Sequence, residues 1–506
     1  MQLGQLLEGI NIISTSGKLE GEVSSLCYSA DKCKEGSLFV AVAGLKHDGH
    51  DFIQEAIARG TRYIVHEKDL SFTSRITAIK VADTRRVLGL LAGNYFLHPS
   101  SGLCLIGVTG TSGKTTVTYF LEAILKTAGF SCGVLGTVNY RYHNKIFPAP
   151  NTTPESYEMQ KILREMADQG ITHVVTEVSS HALDLKRVDD CDFDLGIFTN
   201  LTPEHLDYHP NMEAYFQAKK RFFSEVLPQS KKNHPQKMVV NNDDSWGRRI
   251  LTEVDLPALS YGLGADCFVK ALNYESTLAG IGAEIRIGGR KIDITSRLIG
   301  RFNLYNILAA AAVASILGVN PAAIKEGIEG LSCVPGRLEK VDAPADFYVF
   351  VDYAHKPDAL NQVLQNLTEL KKKNIITVFG CGGNRDRSKR PLMGETAVIY
   401  SDLTIVTSDN PRLEDPAAII REIEAGIDQR RIKKLEVDQL EMPGGLHSYT
   451  IIPDRKKAIE TAIGMARTAD IVLIAGKGHE DYQILGTKKV PFDDRVVAAN
   501  ALKRRA

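Results

Sequence analysis

Seven consecutive residues, Gly110, Thr111, Ser112, Gly113, Lys114, Thr115 and Thr116, place two glycines, a lysine and paired threonines directly after an apolar run, Leu103 to Val108. Val117, Phe120, Leu121 and Leu125 then recur at helical spacing, so the order is strand, glycine loop, helix. Such a junction aims backbone N–H groups and the positive end of a helix at one point, which suits a polyphosphate. Lys114 would reach the terminal phosphates and Thr115 would ligate magnesium. The usual phosphate loop has a glycine five residues before Gly113, but Val108 stands there, so this is a shortened form, G-x-x-G-K-T-T. A glycine-rich turn before an ordinary helix is the plainer alternative, and it leaves the lysine and both threonines unexplained.

A second lysine is singled out by spacing. In AYFQAKKRFFSEV, Tyr215, Phe222, Phe223 and Val226 lie at i, i+7, i+8 and i+11, and Lys219 shares their face while Lys220 does not. Lys219 is therefore expected to be partly buried. Desolvation favours the neutral amine, the form that captures carbon dioxide as a carbamate. A lysine laid along an apolar face with its tip in water fits the same spacing.

These residues need elements to position them. At 506 residues the chain is too long for one core. The segment 1–100 holds GSLFVAVAG, DFIQEAIARG and TRYIVHE, in strand, helix, strand order. From 101 to 333 the phosphate loop opens a unit whose later strands are ITHVVTEVSS, FDLGIFTN and QKMVVNNDD. AEIRIGGRKIDI reads as a hairpin turning at Gly288-Gly289, NILAAAAVASILGV as a buried helix, and SCVPGRLE as a linker. The segment 334–506 repeats the strand-then-helix rhythm, each strand ending in charged or glycine-rich sequence. In open parallel sheets that edge is where ligands collect. The fold class expected is thus α/β with three domains, a central phosphate-loop domain and a C-terminal Rossmann-like one.

The totals exclude several classes. Lys and Arg balance Asp and Glu at 61 each, which gives no pull toward nucleic acid or an anionic membrane surface. The start lacks the basic flank and apolar stretch of a signal peptide and no run is long enough to span a bilayer, so the location read most simply is the cytoplasm. Eight cysteines without a C-x-x-C pair read as reduced, mostly buried thiols.

Seven segments, in order, carry a resemblance: GTSGKTT, NTTP (Asn151 to Pro154), EVSSHAL (Glu177 to Leu183), NLTPEHLDYH (Asn200 to His209), GRFNLYNILAA (Gly300 to Ala310), PGRLE (Pro335 to Glu339) and DYAHKPDAL (Asp352 to Leu360). Together they resemble the Mur ligase family, ATP-dependent amide-forming enzymes of peptidoglycan precursor synthesis, across essentially the whole chain. GCGGNRDRSKRP, SDNPR and GKGHEDYQ are similar to the amino-acid pocket of the branch that adds the third residue of the stem peptide.

The resemblance implies ATP, Mg2+, a UDP-N-acetylmuramoyl-L-alanyl-D-glutamate acceptor and meso-diaminopimelate as partners, no nucleic acid, no membrane insertion and a monomer. It implies Lys114, Glu177, His205 and Lys219 as catalytic, with Thr115, Glu177, His205 and Lys219 about the metal and Lys219 carbamylated by CO2. The ATP set is Gly110, Thr111, Ser112, Gly113, Lys114, Thr115 and Thr116 with Asn303 at adenine and Arg337 and Asp352 near ribose and phosphates. Asn303 could equally cap the helix that follows it. For the nucleotide sugar it implies Ser29, Leu45, Lys46, His47, Asn151, Thr152, Thr153, Ser179 and Arg187. Leu185 stands where relatives often have glutamine. For the amino acid it implies Arg385, Asp409, Asn410, Pro411, Arg412, Gly476 and Glu480. Arg412 would grip the second carboxylate of diaminopimelate bidentately, which lysine lacks. A lysine-adding or folylpolyglutamate-like ligase is the alternative within the enzyme class. A slow nucleotide switch that joins nothing is the alternative outside it.

Overall fold

The computed structural model describes residues 1–44, 47–73, 75–342, 344–440 and 447–505. The chain divides into two compact units: 1–201, 205–268 and 309–319 form the first, and 202–204, 269–308 and 320–506 the second. Among the described residues no helix is long and apolar enough to cross a membrane.

The first unit opens with a five-stranded sheet, ordered Ile12–Ser16, Thr77–Val81, Tyr63–His66, Leu38–Val40, Leu26–Cys27. Its first pair is antiparallel and the others are parallel. The helix Thr84–Tyr95 closes over it through Val87, Leu88 and Leu91, and the Asp83 carboxylate caps that helix by accepting from Arg86 N. The strand, helix, strand order expected here is present.

The second sheet of this unit carries the phosphate loop. Six parallel strands run in the order Ala258–Gly262, Lys237–Asn241, Leu195–Phe198, Cys104–Thr109, His173–Glu177, Cys132–Leu135, and Tyr140–Tyr142 and Lys145–Phe147 follow antiparallel. Strands covered on both faces read as continuous apolar runs, as 104–109 and 195–198 do. Gly107 lacks a side chain because the Phe222 ring lies there: a Cβ would sit 2.4 Å from its Cζ. The chain leaves Cys104–Thr109 for strands on one side, then returns to build on the other. This makes the end of that strand the topological switch point.

The second unit contains the antiparallel strands Val269–Thr277, Gly280–Ile287 and Arg290–Ser296, the last two turning at Gly288-Gly289 as expected. Its larger sheet has the order Glu339–Lys340, Tyr348–Asp352, Ile471–Ala475, Ile375–Phe379, Leu403–Val406, Ser448–Ile451, Lys433–Lys434, parallel except at its first pair. Alternation at period two fills both faces: Phe350, Ile375 and Phe379 enter one core, Val349, Val351, Ile376 and Val378 the other. The carboxyl ends of 375–379, 403–406 and 471–475 run straight into GCGGNRD, TSDNPR and GKGHED.

Candidate functional site

The phosphate loop is held from behind. Asn200 O accepts from Thr111 N (2.8 Å), Asn200 Oδ1 accepts from Ser112 N (3.0 Å), and Thr199 Oγ1 donates to Ser112 O (2.7 Å). Gly110 has φ +139°, and a Cβ there would lie 1.9 Å from Thr199 Oγ1, so only glycine fits. Gly113, at φ +89°, starts the helix Lys114–Thr127, whose first-turn N–H groups crown the loop. Thr115 and Thr116 are buried in that turn.

Lys114 folds over its own loop, donating to Gly110 O (2.9 Å) and Thr111 O (2.8 Å). Lys219, 1% exposed, donates to the same Gly110 oxygen at 2.8 Å. Its ammonium also lies 4.7 Å from the centroid of the Tyr215 ring, and the Tyr215 hydroxyl meets Thr111 Oγ1 at 3.1 Å. The helical face deduced from spacing is thus the buried one, with Tyr215, Phe222, Phe223 and Val226 all enclosed, and it delivers Lys219 to the loop rather than to water. Burial is more complete than the partial burial expected.

His205 has the left-handed backbone φ of +59°, rare for a residue with a side chain. Its ring packs edge-on to His181 (4.7 Å) and Tyr215 (6.0 Å), which places it in the Lys219 cluster. His209 stacks on Tyr215 at 5.1 Å; burial holds its pKa below the ordinary value.

Glu177 ends the strand beside Cys104–Thr109 and is 1% exposed. Both its oxygens are oriented by Thr137, from N at 2.9 Å and from Oγ1 at 3.0 Å. Part of the set expected for the sugar peptide gathers around it. Thr137 Oγ1 meets Thr152 Oγ1 (3.1 Å), Thr153 Oγ1 donates to Glu177 O (2.8 Å), and Ser179 N donates to Thr153 Oγ1 (3.1 Å). Arg187 reaches Thr153 O (3.3 Å) and pairs with Glu155 at 2.6 Å. Asn151 is exposed and its carbonyl accepts from Tyr140 Oη. Ser29 stands at the start of the short turn Ala30–Lys32, its hydroxyl on Asp31; His47 is exposed; Leu45 and Lys46 lie outside the described residues.

Among the described residues no three His, Cys, Asp or Glu side chains converge as an all-protein metal cage would require. Magnesium is commonly held otherwise, by one or two protein oxygens, waters and substrate phosphates. The oxygens of Glu177, at a strand end, and of Thr115, in the helix turn that follows the neighbouring strand, have the chemistry for that role.

In the second unit, three loops meet. Asn410 Nδ2 donates to Glu480 Oε2 (2.9 Å), while Asn410 Oδ1 accepts from Ile484 N (2.9 Å) and Lys477 Nζ (3.3 Å). Lys477, 0% exposed, also pairs with Glu480 at 3.0 Å. Gly476 has φ +115°, and a Cβ would press on Asp409 Oδ2 at 2.7 Å. Arg412, again left-handed at φ +54°, donates to Gly383 O at 2.8 Å, and Gly383 itself packs so closely that a Cβ would strike Pro411 O. Arg385 is exposed at the rim of the same loop. Arg455 ties the base together: fully enclosed with Asp494, it donates to Ala475 O (2.9 Å) and approaches Ser408 O (3.5 Å).

Asn303 lies inside the helix Arg301–Ile316, not before it, so it is no N-cap; its amide donates to Ile299 O at 2.8 Å and its oxygen accepts from Asn306. Asp352 is spent on backbone, accepting from Leu338 N (2.7 Å) and Ala354 N (2.8 Å), and burial raises its pKa despite Arg337. Arg337 lies over Tyr353, 5.3 Å from the ring centroid. Sequence reasoning missed Thr137, Glu155, Lys477 and Arg455. Only Lys477 carried a signal, as the lysine of the quoted GKGHED segment.

Residues 22–96 match the model of the Mur ligase family, catalytic domain; 108–314 the Mur ligase middle domain; and 336–478 the Mur ligase, glutamate ligase domain. The UDP-N-acetylmuramoyl-L-alanyl-D-glutamate--2,6-diaminopimelate ligase of Geobacter metallireducens is 45% identical over 503 residues, covering 99% of this chain and 98% of that protein. A solved structure of a ligase of the same name superposes with a TM-score of 0.70 at 30% identity, covering 100% of this chain and 99% of the other. The MurF ligase of Thermotoga maritima, solved in complex with ADP, shares the fold alone, at 19% identity and a TM-score of 0.60 over 95% of this chain and 98% of that one. The chain belongs to the Mur ligase family.

Proposed function

We propose that this protein joins meso-2,6-diaminopimelate to UDP-N-acetylmuramoyl-L-alanyl-D-glutamate at the expense of ATP, in the cytoplasm and as a monomer, with domains 1–100, 101–333 and 334–506 receiving nucleotide sugar, ATP and amino acid. The convergence of Arg412, Lys477, Asp409, Asn410 and Glu480 at three strand ends carries the choice of amino acid, because a substrate with two carboxylates and two ammonium groups needs both signs of charge at fixed positions.

A carboxylate is a poor electrophile. Transfer of the γ-phosphoryl group of ATP makes it an acyl phosphate; the amine then attacks, and the tetrahedral intermediate collapses by expelling phosphate. Charge builds up on the phosphoryl oxygens in the first step, so positioned cations and N–H donors are what the protein can supply. Lys114 and the first turn of its helix answer that need, and the Asn200 and Thr199 contacts fix the loop beforehand. Magnesium, held by Glu177, Thr115 and His205 with the phosphates, would neutralise phosphate charge.

Two ammonium groups, Lys114 and Lys219, donate to the single Gly110 oxygen. Carbamylation of Lys219 by CO2 converts one of these cations to an anion and relieves that like-charge pairing, which supports the carbamate reading. Thr153, Ser179 and Arg187 would orient the muramoyl peptide, and Arg337 and Asn303 the nucleotide.

The test is ATP-dependent amide formation with diaminopimelate and with lysine. Wild type should prefer diaminopimelate, and Arg412→Ala should lose about 10- to 100-fold of that preference, the worth of a charged hydrogen-bonded pair. An unchanged preference in the variant refutes the assignment of Arg412.

A further inference from the structure

No disulfide joins any of the eight cysteines, and their spacing marks none as partners. Two of them nevertheless meet. Cys27 ends the strand Leu26–Cys27, Cys33 follows the turn Ala30–Lys32, and their sulfurs lie 3.2 Å apart. Cys27 Sγ also approaches Leu38 O (3.5 Å) and Cys33 Sγ approaches Ser29 O (3.7 Å), so the thiols pin both ends of the strap 28–32. That strap carries Ser29 and also Tyr28, whose hydroxyl donates to Glu158 Oε2 at 2.9 Å on the helix that follows the NTTP segment. The hydrogen bond from Cys27, then the Thr61 hydroxyl and the Arg59 guanidinium, pull the Cys33 thiol down to about 7, while the same hydrogen bond and burial push Cys27 up. Cys33 is also the more exposed of the two sulfur-bearing residues, 8% against 4% for Cys27, and so is the thiol an oxidant meets first. It lies between the exposed Lys32 and Lys34, open enough for a small oxidant.

We propose that Cys27 and Cys33 form a reversible redox site at which hydrogen peroxide closes a disulfide across the 28–32 strap and so weakens binding of the nucleotide sugar. The Cys33 thiolate attacks the peroxide O–O bond, giving a sulfenic acid and hydroxide. Cys27 sulfur then displaces the sulfenic oxygen as water. Two thiols and one peroxide thus yield one disulfide and two waters, and a small dithiol reverses the reaction. The sulfurs must close by about 1.2 Å to reach bonding distance. Ser29 O then loses its thiol neighbour and the strap must shift by a similar amount. The bond itself does not depend on the substrate proposed above; its effect on sugar binding rests on that reading.

The experiment treats the reduced full-length protein with hydrogen peroxide, blocks remaining thiols with iodoacetamide and maps peptides by mass. A Cys27–Cys33 link, 2 hydrogens lighter and reversed by dithiothreitol, is expected before any other cysteine is modified. Cys33→Ser and Cys27→Ala should each abolish that product. Oxidised wild type should show at least a threefold higher KM for the UDP-muramoyl dipeptide, an unchanged KM for diaminopimelate, and recovery on reduction. Oxidised Cys27→Ala should show no such shift. Stable sulfinic or sulfonic acid at Cys33 in place of the link overturns the site. A link that leaves the dipeptide KM unchanged overturns its consequence. Absence of ligation even in reduced protein would instead refute the proposed function, and leaves the mass readout intact.

Discussion

Asp494→Ala should be among the most damaging single changes in the second unit although it touches none of the proposed substrate-binding groups. Asp494 and Arg455 are both 0% exposed and paired through two contacts, Nε to Oδ1 at 2.8 Å and Nη2 to Oδ2 at 2.7 Å. Removing the carboxylate leaves a guanidinium enclosed with only the Ala475 and Ser408 carbonyls for partners, and an uncompensated buried charge costs about 3–5 kcal/mol. For a domain of this size, roughly 2–4 °C of melting temperature accompanies each kcal/mol, so a fall of about 6–20 °C is expected. The double variant Arg455→Met, Asp494→Leu removes both charges and fills the space; it should recover most of that loss, within about 2 kcal/mol of wild type. Calorimetry of the full chain measures the shift, and hydrogen exchange at Ile471–Ala475 assigns it to this sheet. Because Ser408 and Ala475 precede the DNPR and GKGHED loops, the single variant should also raise the KM for diaminopimelate more than that for ATP. A single variant that melts within about 2 °C of wild type, or a double variant no better than the single, refutes the reasoning.

Three other perturbations probe separate parts of the molecule. Gly110→Ala should lose at least about tenfold in ATP affinity by titration calorimetry, since the new methyl meets Thr199 Oγ1 and the backbone is left-handed; near-normal affinity would mean that the loop is not held as described. Lys219→Arg keeps a cation but cannot take up CO2, so ligation should fall by about 100-fold or more while far-ultraviolet circular dichroism is unchanged; an active variant removes the carbamate reading. Burial, reinforced by Lys389, pushes the His355 pKa down to about 4 from 6.5. The unfolded chain therefore binds the extra proton between those values, and the stability this residue holds above pH 6.5 is lost as pH falls toward 4. The melting temperature should drop more between pH 7 and 5 in wild type than in His355→Gln, and equal drops would contradict the assignment.

What was legible in the sequence was local. The phosphate loop, the Gly288-Gly289 hairpin and the enclosed face bearing Lys219 follow from composition and period, because each depends on neighbours within about a dozen residues. The partners that fix the site come from far along the chain. Thr137 orients Glu177 across 40 residues, Asn200 braces Ser112 across 88, and Lys477 meets Asn410 across 67. No pattern in any of those segments announces the other. Cys27 and Cys33 escaped for the opposite reason. They are near in sequence, but six residues apart is no recognised pairing interval, and only the turn Ala30–Lys32 folds one back on the other.

Backbone strain was equally hidden, and each of the two units carries an instance of it at a candidate site residue. His205 and Arg412 both adopt left-handed conformations that cost a side-chain-bearing residue about 1–3 kcal/mol, and neither has the asparagine or glycine character that predicts them. Such strain persists only where surrounding contacts over-determine it. Around Arg412 those contacts are explicit: its N–H donates to Ile484 O, its carbonyl accepts from Gly486 N, and its guanidinium donates to Gly383 O. The backbone pairing with the 482–485 strand thus sets the direction of the side chain before any ligand arrives. Replacing Arg412 by glycine would relieve the strain and remove the clamp together, so the glycine variant should be more stable than the alanine variant while both lose the same preference for diaminopimelate. Equal stability of the two variants would show that the observed φ stores no strain, and the argument from backbone to specificity would fall with it.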